Sequence, residues 1–346
     1  MNIIILFKSI ILLSILSLFQ FAYALTSSSK TYHVSSSAEL DRALLSASVD
    51  NVNSKILITE NGLYTSFSGF TYNSISGKNL LISSIESKKE VSISGELKHR
   101  ALSLNDNRAL FKIDNLTIKD GSNKGIGAGI YVKGRSVYIK NVHFINNRAL
   151  IGGALSGKVK HCEITSSEFD SNFADSFGGA VWLDKKCASS NIEKSNFTNN
   201  ETFGDGGAVA FFGKKLFISG SEFIENRAKE KGGAVYTNVV ETRSCKYIKN
   251  VSNKNGGAIY GIDIDSKNII YEDNFAKNNG GAVFCSGTIK DNLSVYEKNS
   301  CGLPTGSSLA SSSKTPGSIN VKNSFFSGLL IDEVEGNSLL LVRKNK

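Results

Sequence analysis

A Gly-Gly-Ala-aliphatic tetrapeptide recurs six times along the chain, and its nearly fixed period constrains the fold more than any other feature. Successive copies are separated by 26, 28, 26, 24 and 24 residues. The copies begin at Gly152, Gly178, Gly206, Gly232, Gly256 and Gly280. A period of this length is typical of a stacked array, in which each unit buries its apolar face against its neighbours.

A second motif, an aromatic residue followed three positions later by Asn, runs in phase with the first. The aromatic residues are Phe144, Phe169, Phe197, Phe223, Tyr247, Tyr271 and Tyr296, and the matching amides are Asn147, Asn172, Asn200, Asn226, Asn250, Asn274 and Asn299. Equivalent residues of adjacent strands stack about 4.8 Å apart. We therefore expect an aromatic column inside the coil, an amide ladder at one turn, and Gly-Gly at a crowded or positive-φ bend.

The composition between these motifs favours short strands joined by turns. Only two Pro occur among 346 residues, whereas Gly numbers 32, and apolar and polar residues alternate in short runs. The sequence predicts an all-β fold, a single-stranded right-handed parallel β-helix of the pectin-lyase type with about 10–12 rungs. We expect this β-helix over residues 55–301, with its regular repeats at 118–301.

The two ends of the array are expected to differ from its middle. Residues 1–24 resemble a secretory signal peptide, because an apolar stretch precedes Ala22-Tyr23-Ala24. Residues 25–54 are predicted to form a strand and an amphipathic helix, Ser37–Ser48, that caps the N-terminal end of the coil. Residues 302–317 are predicted to be a Ser-rich loop, and residues 318–346 the last rung and a C-terminal cap.

The net charge of +9 favours acidic partners. Lysines follow several Gly-Gly-Ala strands at rung spacing, so they could stack into a basic stripe that binds an acidic glycan. They are Lys158, Lys160, Lys185, Lys186, Lys214 and Lys215. The alternative interpretation is that they are solvated turn residues that prevent sheet aggregation. Nucleic acid is not expected as a partner, because the stripe lacks clustered Arg and aromatic residues.

The five Cys do not form a pattern typical of a metal site, and no cofactor is expected. Cys285 and Cys301 are predicted to form a disulfide near the end of the array. Cys245 occupies a position at which neighbouring repeats carry Ser, and it is interpreted as a small residue of the repeat. No pair of carboxylates is forced together by its spacing, so no catalytic residue is predicted.

The unit Phe223-Ile-Glu-Asn-Arg-Ala-Lys-Glu-Lys-Gly-Gly-Ala-Val235 resembles the repeat of the chlamydial polymorphic membrane protein family. The resemblance covers about residues 118–300. It implies a β-helical passenger, exposed at the cell surface or secreted, that adheres to host cells. Members of that family carry a C-terminal membrane β-barrel, and we expect a passenger-like chain without it. Any association with a membrane would then be indirect.

Three functions follow as hypotheses. The first is a secreted or surface-exposed adhesin that binds a host-cell receptor or an acidic glycan without catalysis. The second is a polysaccharide lyase or hydrolase, for which Val181-Trp182-Leu183-Asp184 resembles part of a pectate lyase signature, although Lys185 stands where His should follow. The third is a structural protein that assembles with itself. The variable segment between Asn and Gly-Gly is expected to be an exposed loop that carries the binding residues.

Overall fold

The structure is a computed structural model that describes residues 29–85, 90–302, 308–311 and 319–327. Over these residues the chain forms a parallel β-solenoid of about 11 turns, with one helix near the N-terminus, which confirms the predicted fold class. The expected signal peptide, most of the Ser-rich loop and the end of the C-terminal cap lie outside the described residues. No helix of the described part is long and apolar enough to cross a membrane.

Three sheets, A, B and C, run along the solenoid, and each strand pairs in parallel with its equivalent in the next turn. Sheet A contains Ser29–Val34, Asn53–Ile58, Gly62–Thr65, Leu80–Ser84, Val91–Ser94, Leu110–Lys119, Ser136–Ile145, His161–Thr165, Glu168–Asp170, Ser189–Glu193, Asn196–Thr198, Lys215–Ser219, Glu222–Ile224, Val239–Arg243, Lys246–Ile248, Asp263–Lys267, Ile270–Glu272, Ile289–Asn292, Val295–Glu297, Ile319–Lys322 and Phe325–Ser327. Sheet B contains Phe70–Asn73, Leu102–Asn105, Ile130–Lys133, Leu155–Lys158, Val181–Leu183, Val209–Phe211, Val235–Thr237, Ile259–Gly261, Val283–Cys285 and Leu309–Ser311. Sheet C contains Ser122–Ile126, Arg148–Ile151, Phe173–Phe177, Glu201–Thr202, Arg227–Ala228, Val251–Ser252, Phe275–Ala276 and Ser300–Cys301.

Each regular turn follows the same path through the three sheets. For example, the chain leaves sheet B at Leu183 and enters sheet A, where Ser189–Glu193 and Asn196–Thr198 are separated by a bend. It then passes to sheet C at Glu201–Thr202 and returns to sheet B through Gly-Gly. The corner between sheets B and A therefore recurs once per turn, as does the corner between sheets A and C.

Residues in the left-handed region occupy two corners of almost every turn. One set divides sheet A into two halves, and the other immediately precedes the ladder position. The first set is Asn115, Asn141, Ser166, Lys194, Gly220, Ser244, Asn268, Leu293 and Asn323, and the second is Asp120, Asn146, Ser171, Asn199, Glu225, Lys249, Asp273 and Lys298. Because most are not Gly, each costs about 1 kcal/mol or more of backbone strain, which the repeated hydrogen bonds around it must offset.

The helix Ser37–Val49 covers the N-terminal end of the core, as predicted. The Ser36 hydroxyl accepts a hydrogen bond from the Glu39 backbone N–H, and the Glu39 carboxylate accepts one from the Ser35 N–H. These reciprocal bonds satisfy donors that the first helical turn leaves open. The buried residues Leu40 and Leu44 pack into the core of the coil.

Candidate binding site

The predicted Asn residues form a buried hydrogen-bonded ladder between sheets A and C. In the middle of the array, the Asn172 Nδ2 donates to the Asn200 Oδ1 at 3.0 Å, and the Asn200 Nδ2 donates to the Asn226 Oδ1 at 3.0 Å. Each Oδ1 also accepts a backbone N–H, as in Asn172 N–H to Asn200 Oδ1 at 3.1 Å. Every amide from Asn147 to Asn274 is at most 1% exposed. The hydrogen-bonding groups of the ladder amides are therefore already paired within the turns, and they are not available to a ligand.

The predicted aromatic residues form a continuous stack inside the solenoid. Ring centroids lie 4.5 Å apart for Phe169 and Phe197, at an interplanar angle of 3°, and the stack continues beyond the prediction to Phe326. Each ring is also matched to the residue five positions before it. In the regular turns Phe is preceded by Ile, as Ile192 precedes Phe197, whereas the Tyr247 hydroxyl lies 3.1 Å from the Thr242 Oγ1. This pairing is visible in the sequence as a change from Ile to Thr, Ser or Asp wherever the ring changes from Phe to Tyr.

The two positions of each Gly-Gly pair require Gly for different steric reasons. The first Gly of each pair has φ between +60° and +74°. The second lies directly against the following turn: a Cβ on Gly207 would be 1.9 Å from the Gly233 carbonyl oxygen. All three repeated elements are thus scaffold, and a ligand site must lie among residues that face outward.

The segment between Asn and Gly-Gly is not simply an exposed loop, which corrects the expectation. Its first two or more residues form a strand of sheet C, and the second of them points inward in every regular turn. In the turn after Asn226, for example, Arg227 is exposed but Ala228 is buried. The remaining residues form the turn toward Gly-Gly, so fewer side chains than expected are available for recognition.

The predicted disulfide is wrong, because Cys285 and Cys301 lie on different sheets and both are free thiols. Cys285 pairs in register with Ser311 in sheet B, whereas Cys301 follows Ala276 in the small inward column of sheet C. Burial raises the pKa of the Cys285 thiol to about 12. Cys245 does take the place of the repeated Ser, and its Sγ donates to the Arg243 carbonyl at 3.2 Å.

The six predicted lysines all lie at one corner of the solenoid, between sheets B and A. Backbone hydrogen bonds link their turns directly, from the Ala188 N–H to the Lys160 carbonyl and from the Lys214 N–H to the Cys187 carbonyl. Five of the six side chains are exposed, and Lys215 is half-buried. Adjacent turns are one strand spacing apart, about 4.8 Å. The structure therefore brings together lysines that the sequence separates by up to 57 positions.

The same corner contains four further cations that the sequence analysis did not identify. The Lys160 N–H donates to the Arg135 carbonyl, and the Arg135 N–H donates to the Ala109 carbonyl, which extends the stack toward the N-terminus. We call the full set the basic corner. It consists of Lys78, Arg108, Lys133, Arg135, Lys158, Lys160, Lys185, Lys186, Lys214 and Lys215.

Charges elsewhere on the solenoid are arranged differently. In later turns four cations face an acid of the adjacent turn, as in Lys246 with Glu222 at 2.8 Å and Arg243 with Asp265 at 2.9 Å. Within the described part of the chain, Lys215 is the one member of the basic corner that forms such a pair, with Glu241. The remaining cations of the corner have no ion pair among the described residues, and their turns lie next to turns that also carry cations.

Like charges at this spacing repel one another. Two unit charges about 5 Å apart in water interact by roughly 0.8 kcal/mol, so a stack of cations opposes folding modestly at every step. Two carboxylates at the corner cap its turns: Asp184 accepts a hydrogen bond from the Lys186 N–H, and Asp106 accepts one from the Arg108 N–H. The corner thus concentrates positive charge that the fold does not require.

Four aspartates that could serve as catalytic carboxylates, Asp175, Asp205, Asp263 and Asp265, do not converge. Asp263 accepts a hydrogen bond from the Thr288 N–H, whereas Asp265 pairs with Arg243. Asp175 pairs with Arg148 on sheet C, and Asp205 accepts from the Lys231 N–H. Each of these groups serves a local structural contact, and among the described residues no cluster of acids, His and Cys could hold a metal ion.

The outward aromatic row of sheet B is also unsuited to a ligand. Tyr236 and Tyr260 stack with centroids 5.4 Å apart at 8°, and Phe284 stacks on Tyr260 at 5.3 Å. Because the ring faces cover one another, mainly their edges point outward. Trp182, at the equivalent position, is half-buried between the strands that carry Ser156 and Ala210.

Residues 220–238 match the family model described as Chlamydia polymorphic membrane protein (Chlamydia_PMP) repeat. No curated protein matches the chain. The matched segment contains Phe223, Asn226 and Gly232–Val235, which the structure places in the stack, the ladder and the bend. The regular turns before and after it repeat these contacts, and the chain therefore carries a β-solenoid repeat of the polymorphic membrane protein type.

Proposed function

We propose that this protein is a surface-exposed, adhesin-like protein that binds an acidic extracellular ligand at the basic corner, without catalysis. The observation that carries the proposal is the stack of cations without acidic partners. Lys246, Lys249 and Lys254 each pair with a Glu of the preceding turn, whereas nine of the ten corner cations have no ion pair among the described residues. A selected ligand explains this concentration of charge better than surface solubility does. The repeat type supports a location at the cell surface, and the signal-peptide pattern supports export.

The contacts of the scaffold also support a site made of outward residues, because the buried residues are used for structure. The ladder, the aromatic stack and Gly-Gly are buried and satisfied, so the fold maintains a rigid corner whatever the outward residues are. Because the backbone that carries the cations is already ordered, binding does not have to order it, and the free-energy cost of association is lower. Lysine heads remain mobile and adapt to an irregular ligand surface.

Binding of the full chain to immobilised heparin and to cultured cells tests the proposal. Replacing Lys158, Lys160, Lys185 and Lys186 by Gln should lower retention strongly at physiological salt. The matched control replaces Lys246, Lys249, Lys254 and Lys290 by Gln, which removes the same charge outside the corner and should leave most binding intact. Equal loss in both proteins would show that net charge alone is responsible. Turnover of uronic-acid polymers by the wild type would contradict a non-catalytic role.

A further inference from the structure

The cations of the basic corner form a line, not a patch. Their turns follow one another along the solenoid axis without interruption, from Lys78 through Arg108 to Lys214. Five strand spacings of about 4.8 Å separate the first turn from the last, so the line is roughly 24 Å long. It ends there, because the next two turns have Asn238 and Ile262 at this corner.

Positive charge falls away on both sides of this line. On sheet B the adjacent outward row contains Tyr131, Ser156, Trp182 and Ala210, which carry no charge. On sheet A the adjacent outward row contains Lys112, which pairs with Asp114, and then Tyr138, Glu163, Asn191 and Phe217. A ligand that crossed the rod would therefore meet the cations of one or two turns, whereas a ligand parallel to the axis would meet all of them.

The composition of the line indicates the chemistry of its ligand. Eight of its members are Lys and two are Arg, and Arg108 already donates to the Ile75 carbonyl. Lys acts as a point charge without the planar fork that Arg uses on phosphates. The line also lacks the exposed aromatic side chains on which nucleic-acid bases stack. These features favour a flexible polymer whose anionic groups recur along one strand.

Resting on the proposed function, we propose that the ligand is a linear acidic polysaccharide that lies parallel to the solenoid axis along the basic corner. Its sulfate or carboxylate groups contact the cations of successive turns. Affinity then depends on how many turns the polysaccharide spans, since each turn adds one or two charge contacts and releases counterions. A short oligosaccharide would occupy part of the line and bind weakly.

Size-defined heparin oligosaccharides, from the disaccharide to the dodecasaccharide, test this with the full chain in solution. Affinity should rise with length and level off once the oligosaccharide spans the line. Hyaluronan oligosaccharides, which carry carboxylates alone, show whether sulfate is needed. Duplex DNA of similar length is the competing polyanion, and binding as tight as that of heparin at equal salt would overturn the choice of a polysaccharide.

Two variants with equal charge loss test the axial arrangement. The first replaces the middle cations Lys158, Lys160, Lys185 and Lys186 by Gln and divides the line. The second replaces the outer cations Lys78, Arg108, Lys214 and Lys215 by Gln and shortens it. The divided line should lose at least tenfold in affinity for the dodecasaccharide and show little length dependence, whereas the shortened line should bind short oligosaccharides normally and level off at a smaller length.

Failure of this inference and failure of the proposed function give different results. If no acidic polysaccharide binds the wild type, or if binding survives both sets of replacements combined, the basic corner is not a binding site. If binding needs the corner but the disaccharide binds as tightly as the dodecasaccharide, the corner is a local site and the axial arrangement is wrong. The slope of log affinity against log salt should become shallower by about three to four in either variant, because each lost cation removes one direct charge contact.

Discussion

The amide ladder should make a larger contribution to stability than any exposed polar residue of the array. Asn200 lies at its centre and is completely buried. Its Oδ1 accepts from the Asn172 N–H and Nδ2, at 3.1 and 3.0 Å, and its Nδ2 donates to the Phe169 carbonyl and the Asn226 Oδ1, at 2.9 and 3.0 Å. Replacing Asn200 by Ala removes all four hydrogen bonds.

The expected loss follows from what remains unsatisfied. The Asn172 backbone N–H loses its acceptor, and a buried orphaned donor costs about 1–3 kcal/mol. The other lost bonds are worth about 1 kcal/mol each, although the Asn172 Nδ2 retains the Phe144 carbonyl. We expect Asn200→Ala to lower the free energy of unfolding by about 4 kcal/mol, and by more than this if no water fills the space.

Urea unfolding followed by circular dichroism measures this loss, and hydrogen exchange locates it. Because turns interact only with their neighbours, exchange should accelerate mainly in the turns that contain Asn172, Asn200 and Asn226. Asn253→Ala is the control, because Asn253 is exposed and lies two turns after Asn200. Its replacement should change the free energy of unfolding by less than about 0.5 kcal/mol. A loss at Asn200 below about 1 kcal/mol, or equal to the control, would refute the ladder as a stabilising element.

Two further predictions concern single positions. Gly207→Ala should destabilise the array severely, because the new Cβ would meet the Gly233 carbonyl oxygen at 1.9 Å, whereas Gly125→Ala, with its nearest contact at 3.6 Å, should be nearly neutral in thermal unfolding. Asp291 is buried inside the coil, and this burial raises the pKa of its carboxyl group. The folded state therefore retains the proton longer than the unfolded chain, so stability falls as pH rises from the ordinary Asp pKa through the folded pKa. Asp291→Asn should consequently stabilise the last turns at neutral pH more than at acidic pH. Urea unfolding of the wild type and the variant at both pH values measures this. The same difference in urea midpoint at both pH values would contradict the prediction.

The repeated contacts could be predicted from the sequence because one residue type recurs at each of them. The aromatic column, the amide ladder and the Gly-Gly bend all lie where a fixed period places identical side chains on top of one another. The N-terminal helix was likewise predictable, since its cap and its apolar spacing are local signals. Such features need no knowledge of the path that the chain takes between the repeats.

Features that depend on that path could not be predicted. Lys133 and Arg135 follow Gly127-Ala-Gly-Ile130, a decayed copy of the motif, so the exact Gly-Gly-Ala pattern does not align them with Lys158 and Lys160. The disulfide was predicted from separation along the chain, which does not reveal that Cys285 and Cys301 occupy different sheets. Glu225 and Lys249 adopt positive φ although neither residue favours it, because the ladder that follows them fixes the corner.

The ladder also has a consequence for the genetic variation of the array. Each regular turn presents an amide donor to the following turn and an acceptor to the preceding one, so the two faces of every turn fit those of any other. A duplication or deletion in the gene that joins equivalent positions of two turns would still stack each Asn on an Asn and each aromatic ring on an aromatic ring. Unequal recombination could thus change the number of turns while each junction kept its hydrogen bonds. The length of the cationic line would then change in whole turns, which would adjust the reach of the protein without redesigning its fold.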